Sequence, residues 1–367
     1  MSRLTPAHPL SMPERNMQSR LKINLEDVFM YMVGGLIVLL VVVGSISTLV
    51  AGKYDARQWF DLIVFGIALG GIYALIALGY TLVYGILRMI NFAHSEVFMA
   101  GPFTAYFLAD ELGRSGFLDA NPVVGLGSVF LLAMLVSVVT AILLERIAYR
   151  PLRFAPRLVP LITAIGASFF LQYFFKGLYG PNIKVYPEIK ALTSYLQLGE
   201  FRVQYIQILV IVAAGLMMAG LNVFIQNSRT GKAMRAVAED KATAALMGID
   251  VDRIIVITFT LGGALAGAAG VLYALMFKQV NFIMGFIPGI KAFTAAVLGG
   301  IGNVPGAMVG GLFLGVTESL GPSLFLDGLG IAAPYQLKDA IAFTLLVLVL
   351  IFRPSGILGE KLAEKKA

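Results

Sequence analysis

Seven stretches free of charged residues run through the chain, at 28–52, 62–87, 120–144, 158–175, 203–228, 254–277 and 292–317. A helix needs about 20 predominantly apolar residues, within a range of about 17–25, to cross the hydrocarbon core of a bilayer. Each stretch is long enough. Two shorter ones, 97–109 and 341–352, reach that length only if polar neighbours enter the membrane with them, and such half-apolar helices face protein or a cavity. The pattern predicts an all-α, polytopic transmembrane helical bundle of nine or ten membrane segments, some of them Gly/Pro-interrupted or re-entrant.

The interruption falls in residues 282–320. Pro288, Lys291, Gly299, Gly300, Gly302, Pro305, Gly310 and Gly311 crowd that segment, which predicts two shorter helices joined at 299–305. Irregular backbone at membrane depth is tolerated only where protein or a water-filled cavity satisfies its N–H and C=O groups. This places the segment beside a translocation path, with a tightly packed Gly-rich helix pair as the alternative.

Composition adds to this. The chain is 58% hydrophobic and 13% charged, with a mean hydropathy of +0.85, against about 45–50% apolar and 25% charged in soluble domains. Lipid is therefore the solvent for much of its surface. With no cysteine and only His8 and His94, thiolate chemistry and His-rich metal sites are excluded. The net charge of +7 sits in the gaps between apolar runs and forms no aromatic-interleaved stripe of the kind nucleic acid requires. It reads as topology. Basic residues mark four regions: the N-terminal tail (Arg3, Arg15, Arg20, Lys22), a loop with Arg146, Arg150, Arg153 and Arg157, a long loop with Arg229, Lys232, Arg235, Lys241 and Arg253, and the C-terminal tail (Arg353, Lys361, Lys365, Lys366). The positive-inside rule sets all four, and both termini, on the cytoplasmic side of the membrane. The loop 176–202 carries four basic residues yet must be external. The first apolar run is too long for a signal peptide and no A-x-A site follows it, so it reads as a retained helix. A faint likeness between residues 70–79 and 262–271 suggests duplicated halves.

Three clusters could carry function. The loop 227–253 contains an amphipathic stretch, 229–247, with Met234, Val237, Ala238, Ala242, Ala245 and Leu246 on one face and Arg235, Glu239, Asp240 and Lys241 solvated; Gly248 supplies a C-terminal stop. A short helix between two spans suits docking in a groove of another protein, or is simply a surface helix. The second cluster is Asn91, His94, Ser95 and Glu96, where a helix enters the membrane; Asn91 and Ser95 share a face if the stretch is helical. It either lines a cavity or caps a helix. The third is Lys291, a charge costing about 2.5–3.5 kcal/mol at the centre of a membrane helix. Glu318 and Asp339 are its candidate counter-charges, and snorkelling to the external interface is the alternative. There is no G-x-x-x-x-G-K-[ST] loop, G-x-S-x-G elbow or H-E-x-x-H motif, so neither an enzyme nor a cofactor is expected within the chain.

The runs GGIYALIALGYTLVYGILRMINFAHSEVFMAG (70–101), ERIAYRPLR (145–153), SRTGKAMRAVAEDKATAALMGIDVDR (228–253), GIKAFTAAVLGGIGNVPGAMVGGLFLGVTESL (289–320) and RPSGILG (353–359) closely resemble the H-type permeases of high-affinity branched-chain amino-acid ABC importers. The resemblance runs from about residue 58 to the end, which sets residues 1–57 apart as an extension with its own helix and 58–367 as the permease domain. It implies a heterodimer with a second, related permease, two cytoplasmic ATP-binding cassette subunits and a periplasmic substrate-binding protein. It also implies that Arg229, Lys232, Arg235, Glu239, Asp240 and Gly248 lie in the segment the ATPase pushes. Residues 91–96 and 291–305 match the family's most recognisable membrane motifs, which does not assign their roles; the polar clusters and the Gly/Pro-rich segment are what mark Asn91, His94, Glu96, Lys291, Gly299, Gly300 and Asn303 as candidate translocation-path residues. Ser95 departs from the glycine usual in the family. Two other readings stand beside this one: a permease of the same superfamily for urea or short-chain amides, and a self-sufficient ion-coupled transporter with His94, Glu96 and Lys291 as its relay.

Overall fold

The structure is a computed structural model that describes residues 25–153, 155–156, 158–353 and 355–359. The basic residues Arg3, Arg15, Arg20, Lys22, Arg157, Lys361, Lys365 and Lys366, and His8, lie outside the described residues. The helices are α1 (Leu25–Ala51), α2 (Ala56–Leu87), α3 (His94–Arg114), α4 (Phe117–Ala120), α5 (Pro122–Leu144), α6 (Leu158–Tyr179), α7 (Lys190–Thr193), α8 (Tyr205–Asn227), α9 (Arg229–Glu239), α10 (Lys241–Leu246), α11 (Val251–Phe277), α12 (Phe286–Gly299), α13 (Val304–Gly321) and α14 (Lys338–Phe352). Short strands β1 (Lys184–Val185), β2 (Tyr195–Leu198), β3 (Phe201–Gln204) and β4 (Gln279–Val280) form two antiparallel pairs, β1 with β4 and β2 with β3. Among the described residues, eight helical segments are long and apolar enough to cross a membrane. The amphipathic α3 and the 14-residue α12 complete a polytopic helical bundle.

Two helices form the centre. Windows of α2 and α11 are each 72% buried, against 11% for α1 and α14 and 22% for α8. Lipid tails are as apolar as leucine, so packing must hold helices together here, and small residues permit it. A Cβ on Gly315 would lie 2.2 Å from the Gly70 Cα, and one on Gly311 would lie 2.4 Å from the Ala74 Cα. Helices α2 and α13 thus meet backbone to backbone.

The uncharged stretch 292–317 is not one span. It divides between α12 and α13 at Gly300 (φ 106°) and Gly302 (φ 96°), both in conformations that disfavour a side chain. Asn303 then caps α13 by accepting the Gly306 N–H at 3.1 Å, and Pro305 sits in the first turn. The carbonyls left over at the end of α12 are met from the far end of the chain. Ile357 N–H donates to Leu298 O (2.7 Å) and Leu358 N–H to Gly299 O (3.1 Å).

A duplication is visible in the backbone. Arg88 (φ 57°, ψ 28°) ends α2 and Lys278 (φ 56°, ψ 24°) ends α11; among the described residues they are the only non-glycines with positive φ. Each is followed by two residues, then Asn-Phe, a turn and a helix, and Phe103-Thr104-Ala105 of α3 corresponds to Phe293-Thr294-Ala295 of α12. The correct register pairs Arg88 with Lys278 and Asn91 with Asn281, two residues away from pairing Gly70 with Gly262. The halves are inverted: α2 ends against α9, where the Arg88 guanidinium donates to Ala238 O (3.1 Å), whereas α11 begins beside α10.

Successive spans alternate between two ends. One end holds the Lys53–Asp327, Lys278–Glu188 and Lys190–Asp119 ion pairs and both strand pairs. The other holds α9, α10, Arg150, Arg153 and the chain after α14. Residues 25 and 359 fall at this second end, where Tyr31 meets Phe352 (6.1 Å between ring centres). The basic loop 176–202 lies at the first end, with three of its four basic side chains engaged locally. Lys190 pairs with Asp119, while the Lys176 and Lys184 ammoniums sit 5.0–5.4 Å from aromatic ring centres.

Candidate functional site

The loop between α8 and α11 is built from three caps in succession. Ser228 accepts the Gly231 N–H (2.8 Å) to start α9, Asp240 accepts the Thr243 N–H (2.8 Å) to start α10, and Asp250 accepts the Arg253 N–H (3.0 Å) to start α11. The single amphipathic helix expected over 229–247 is therefore two helices. Asp240 adopts an extended conformation (φ −150°, ψ 113°), because an aspartate side chain competes for backbone N–H groups and favours a cap over a helix interior. The stop at Gly248 is as expected, with φ 82°.

The break changes which residues face inward. Gly231, Met234 and Val237 are buried on α9 and Ala244 on α10, whereas Ala242, Ala245, Leu246 and Met247 point outward. Leu246 is 88% exposed and Met247 78%. Arg229, Lys232, Arg235, Glu239, Asp240 and Gly248 all lie on the exposed surface of the same end. The loop also rests on an ion network that no local pattern singles out. Arg153 bonds both the buried Glu145 and Asp252, and Arg150 reaches Asp252 at 2.7 Å. Partial burial, then the neighbouring positive charges of Arg153 and Arg88, lower the proton affinity of Lys241.

Inside the bundle, α3 begins at His94, so Asn91 precedes the helix and does not share a helical face with Ser95. Asn91 is buried and accepts the Tyr149 hydroxyl at 2.7 Å. Glu96 is fully buried, and its Oε1 accepts from Ser95 (3.2 Å), Ser168 (3.1 Å) and Gln172 (2.8 Å). Among the described residues no cation pairs with it, and its Oε2 has no hydrogen-bond partner. His94 packs its ring against Tyr80 (5.0 Å between centres) and over Gly79, where a Cβ would lie 2.0 Å from Nε2. The starts of the two inverted helices meet here, since a Cβ on Gly285 or Gly289 would strike Ser95 at 2.1 or 2.3 Å.

Lys291 does not snorkel. It is 3% exposed, 2.6 Å from Glu318 and 2.6 Å from Asp339, with the Tyr73 ring 5.8 Å away. Both candidate counter-charges are used, tying α12 to α13 and α14. Gly299, Gly300 and Asn303 lie at the opposite end of α12 from Lys291, so the expected path residues divide into three places: His94 and Glu96 with Asn91 just below, the Lys291 cluster, and the Gly-rich turn. Asn303 there donates to Leu358 O at 2.7 Å.

Comparison with known proteins places these features in context. Residues 62–350 match the family model described as the permease component of the branched-chain amino acid transport system. The chain is 46% identical to the high-affinity branched-chain amino acid transport system permease protein BraD of Pseudomonas aeruginosa, over 85% of this chain and 99% of that one. It is 42% identical to the LivH permease protein of Escherichia coli, over 85% of this chain and 98% of that one. A shorter likeness, 30% identity over 37% of this chain and 41% of the other, is to the probable branched-chain amino acid transport permease protein LivM of Methanocaldococcus jannaschii.

Proposed function

Because the chain belongs to the branched-chain amino acid transport system permease family, we propose that it is the membrane-spanning subunit through which an ATP-driven importer passes branched-chain amino acids across the bacterial inner membrane. The observation that carries this is the family match across almost the whole bundle. In this reading a second, related permease completes the pore, two ATPase subunits bind the α9–α10 end, and a periplasmic binding protein delivers substrate to the other. The α9–α10 end is then cytoplasmic, as the positive-inside rule supports: Arg88, Arg150, Arg153, Arg229, Lys232, Arg235 and Arg253 all gather there. ATP acts by binding one conformation better than the other, and the exposed rim of α9 and α10 is where that preference reaches the permease.

Reconstitution of the chain with its partner permease, ATPases and binding protein tests the assignment. ATP-dependent leucine uptake is expected, and none from the chain alone under an ion gradient. Uptake by the isolated chain would instead support an ion-coupled transporter. In the assembled complex, Glu239→Lys lowers substrate-stimulated ATP hydrolysis while expression stays normal. Asp240→Asn retains the cap and removes the charge, so it separates the two roles of that residue. Normal stimulation in both variants would remove these side chains from coupling.

A further inference from the structure

At the end opposite α9 and α10, residues 187–206 fold over the terminus of α11 and border an open pocket of about 210 Å³. A cavity of about 150 Å³ takes up benzene, so this volume suits a solute of about eight heavy atoms with its polar end at the open mouth. Ile189, Leu192, Ile206 and Leu275 give the pocket an aliphatic side, and Thr193, Tyr195 and Gln204, the last donating to the Tyr195 hydroxyl at 3.0 Å, line the rest. Its polar edge is the ion pair of Lys278 and Glu188, 2.6 Å apart, with both side chains more than half exposed. Such a pair is held weakly, and each partner has hydrogen-bonding capacity left. The ammonium has three donors and bonds one oxygen, and the carboxylate has four lone-pair sites.

Lys278 is the second observation. Its backbone is left-handed (φ 56°), a conformation that glycine adopts without strain and lysine does not. The strand pairing holds it there, since Tyr186 N–H donates to Lys278 O (3.0 Å) and Val185 pairs with Gln279. Arg88 shares this helix cap at the equivalent place in the other half, and at Lys278 the cap sets the ammonium at the pocket mouth.

Resting on the transport reading above, we infer that this cavity is an external receiving site for a free aliphatic α-amino acid. The substrate carboxylate accepts from the Lys278 ammonium, its ammonium donates to Glu188, and its side chain lies against Leu192, Ile206 and Leu275. A zwitterion with a branched apolar tail matches this arrangement of one cation, one anion and an aliphatic wall. An uncharged amide can hydrogen-bond to both groups but brings no charge to either, and an acidic amino acid would bury its second carboxylate unpaired.

The test is radiolabelled leucine binding to the full complex in nanodiscs without the binding protein, followed by uptake with it. Lys278→Gly, which relieves the backbone while removing the ammonium, and Glu188→Gln each weaken leucine binding about tenfold or more and raise the apparent KM, leaving basal ATP hydrolysis unchanged. Leu192→Trp fills the cavity and weakens leucine binding more than alanine binding. The inference is overturned if all three variants bind leucine like the wild type, or if they alter only the affinity for the binding protein, which would make the cavity a docking feature. Wild-type import of leucine with indifferent variants removes this site alone. A wild-type complex that neither binds nor imports leucine removes the transport reading and this site together.

Discussion

Lys291 shows what burial does to a single charge. One ammonium lies between two carboxylates, with Glu318 almost wholly enclosed and Asp339 partly open. Removing one partner of a buried ion pair costs about 3–5 kcal/mol, because the other is left uncompensated, whereas apolar replacement of both is close to neutral. Lys291→Met alone should therefore lower the thermal unfolding midpoint of the purified protein markedly, and Lys291→Met with Glu318→Gln should recover most of the loss. An unchanged midpoint in the single variant would show that water reaches the cluster. Gly79 poses the complementary case of volume. A methyl group there would displace the His94 ring, and overpacking of this kind costs about 1–3 kcal/mol, so Gly79→Ala should destabilise while Gly35→Ala, with nothing within 4 Å, should not.

Among elements, the short helices and α1 carry the sharpest expectations. Asp240→Ala removes the cap of α10 and should cost about 1 kcal/mol, seen as faster amide exchange confined to residues 240–248, with Asp240→Asn near wild type. Helix α1 is attached to the turn after α13 by close backbone contact. A Cβ on Gly328 would lie 1.9 Å from Gly44 O, and Lys53 and Tyr54 both bond Asp327. Gly328→Leu should release α1 and open Lys53 to trypsin, with α2–α14 unaffected. Charge adds a pH window. The hydrogen bond to Lys53 holds Asp327 below its ordinary range, and the bond to Asp327 raises Lys53. A lowered carboxylate keeps its partner until pH falls below its ordinary value of about 4, and a raised ammonium until pH rises above its ordinary value of about 10.5. Fluorescence of Trp59, the one tryptophan, which packs on Tyr54 (5.3 Å), should stay flat between pH 5 and 9 and change below 4. High salt should weaken the attachment.

At the scale of the whole molecule, α11 runs unbroken for 27 residues, about 40 Å at 1.5 Å per residue, from the Asp250 cap beside α10 to Lys278 at the opposite cavity. With no native cysteine, single introduced thiols report cleanly on both ends. Thr243→Cys should be labelled only from the cytoplasm and Ser194→Cys only from outside; the reverse pattern would invert the proposed orientation. Much of this was legible in the chain. Uncharged runs longer than the hydrocarbon thickness had to become helices, since no other single segment satisfies its own backbone in lipid, and the Gly/Pro density at 299–305 foretold the break between α12 and α13. Local caps were only half legible: Gly248 announced its stop, but Asp240 was read as one solvated charge within a helix because periodicity looks past a single competing side chain. The sequence by itself thus determined the number and character of the spans, the family and the charge of each end, all properties of short windows. Only the tertiary structure decided that Lys291 binds Glu318 and Asp339 together, that Arg150, Arg153, Glu145 and Asp252 support the loop between α8 and α11, and that Lys278 and Glu188 meet at the edge of a pocket. Those partners lie 8 to 102 residues apart, or, for Lys278 and Glu188, 90, and such distances are closed by packing, which no local pattern encodes.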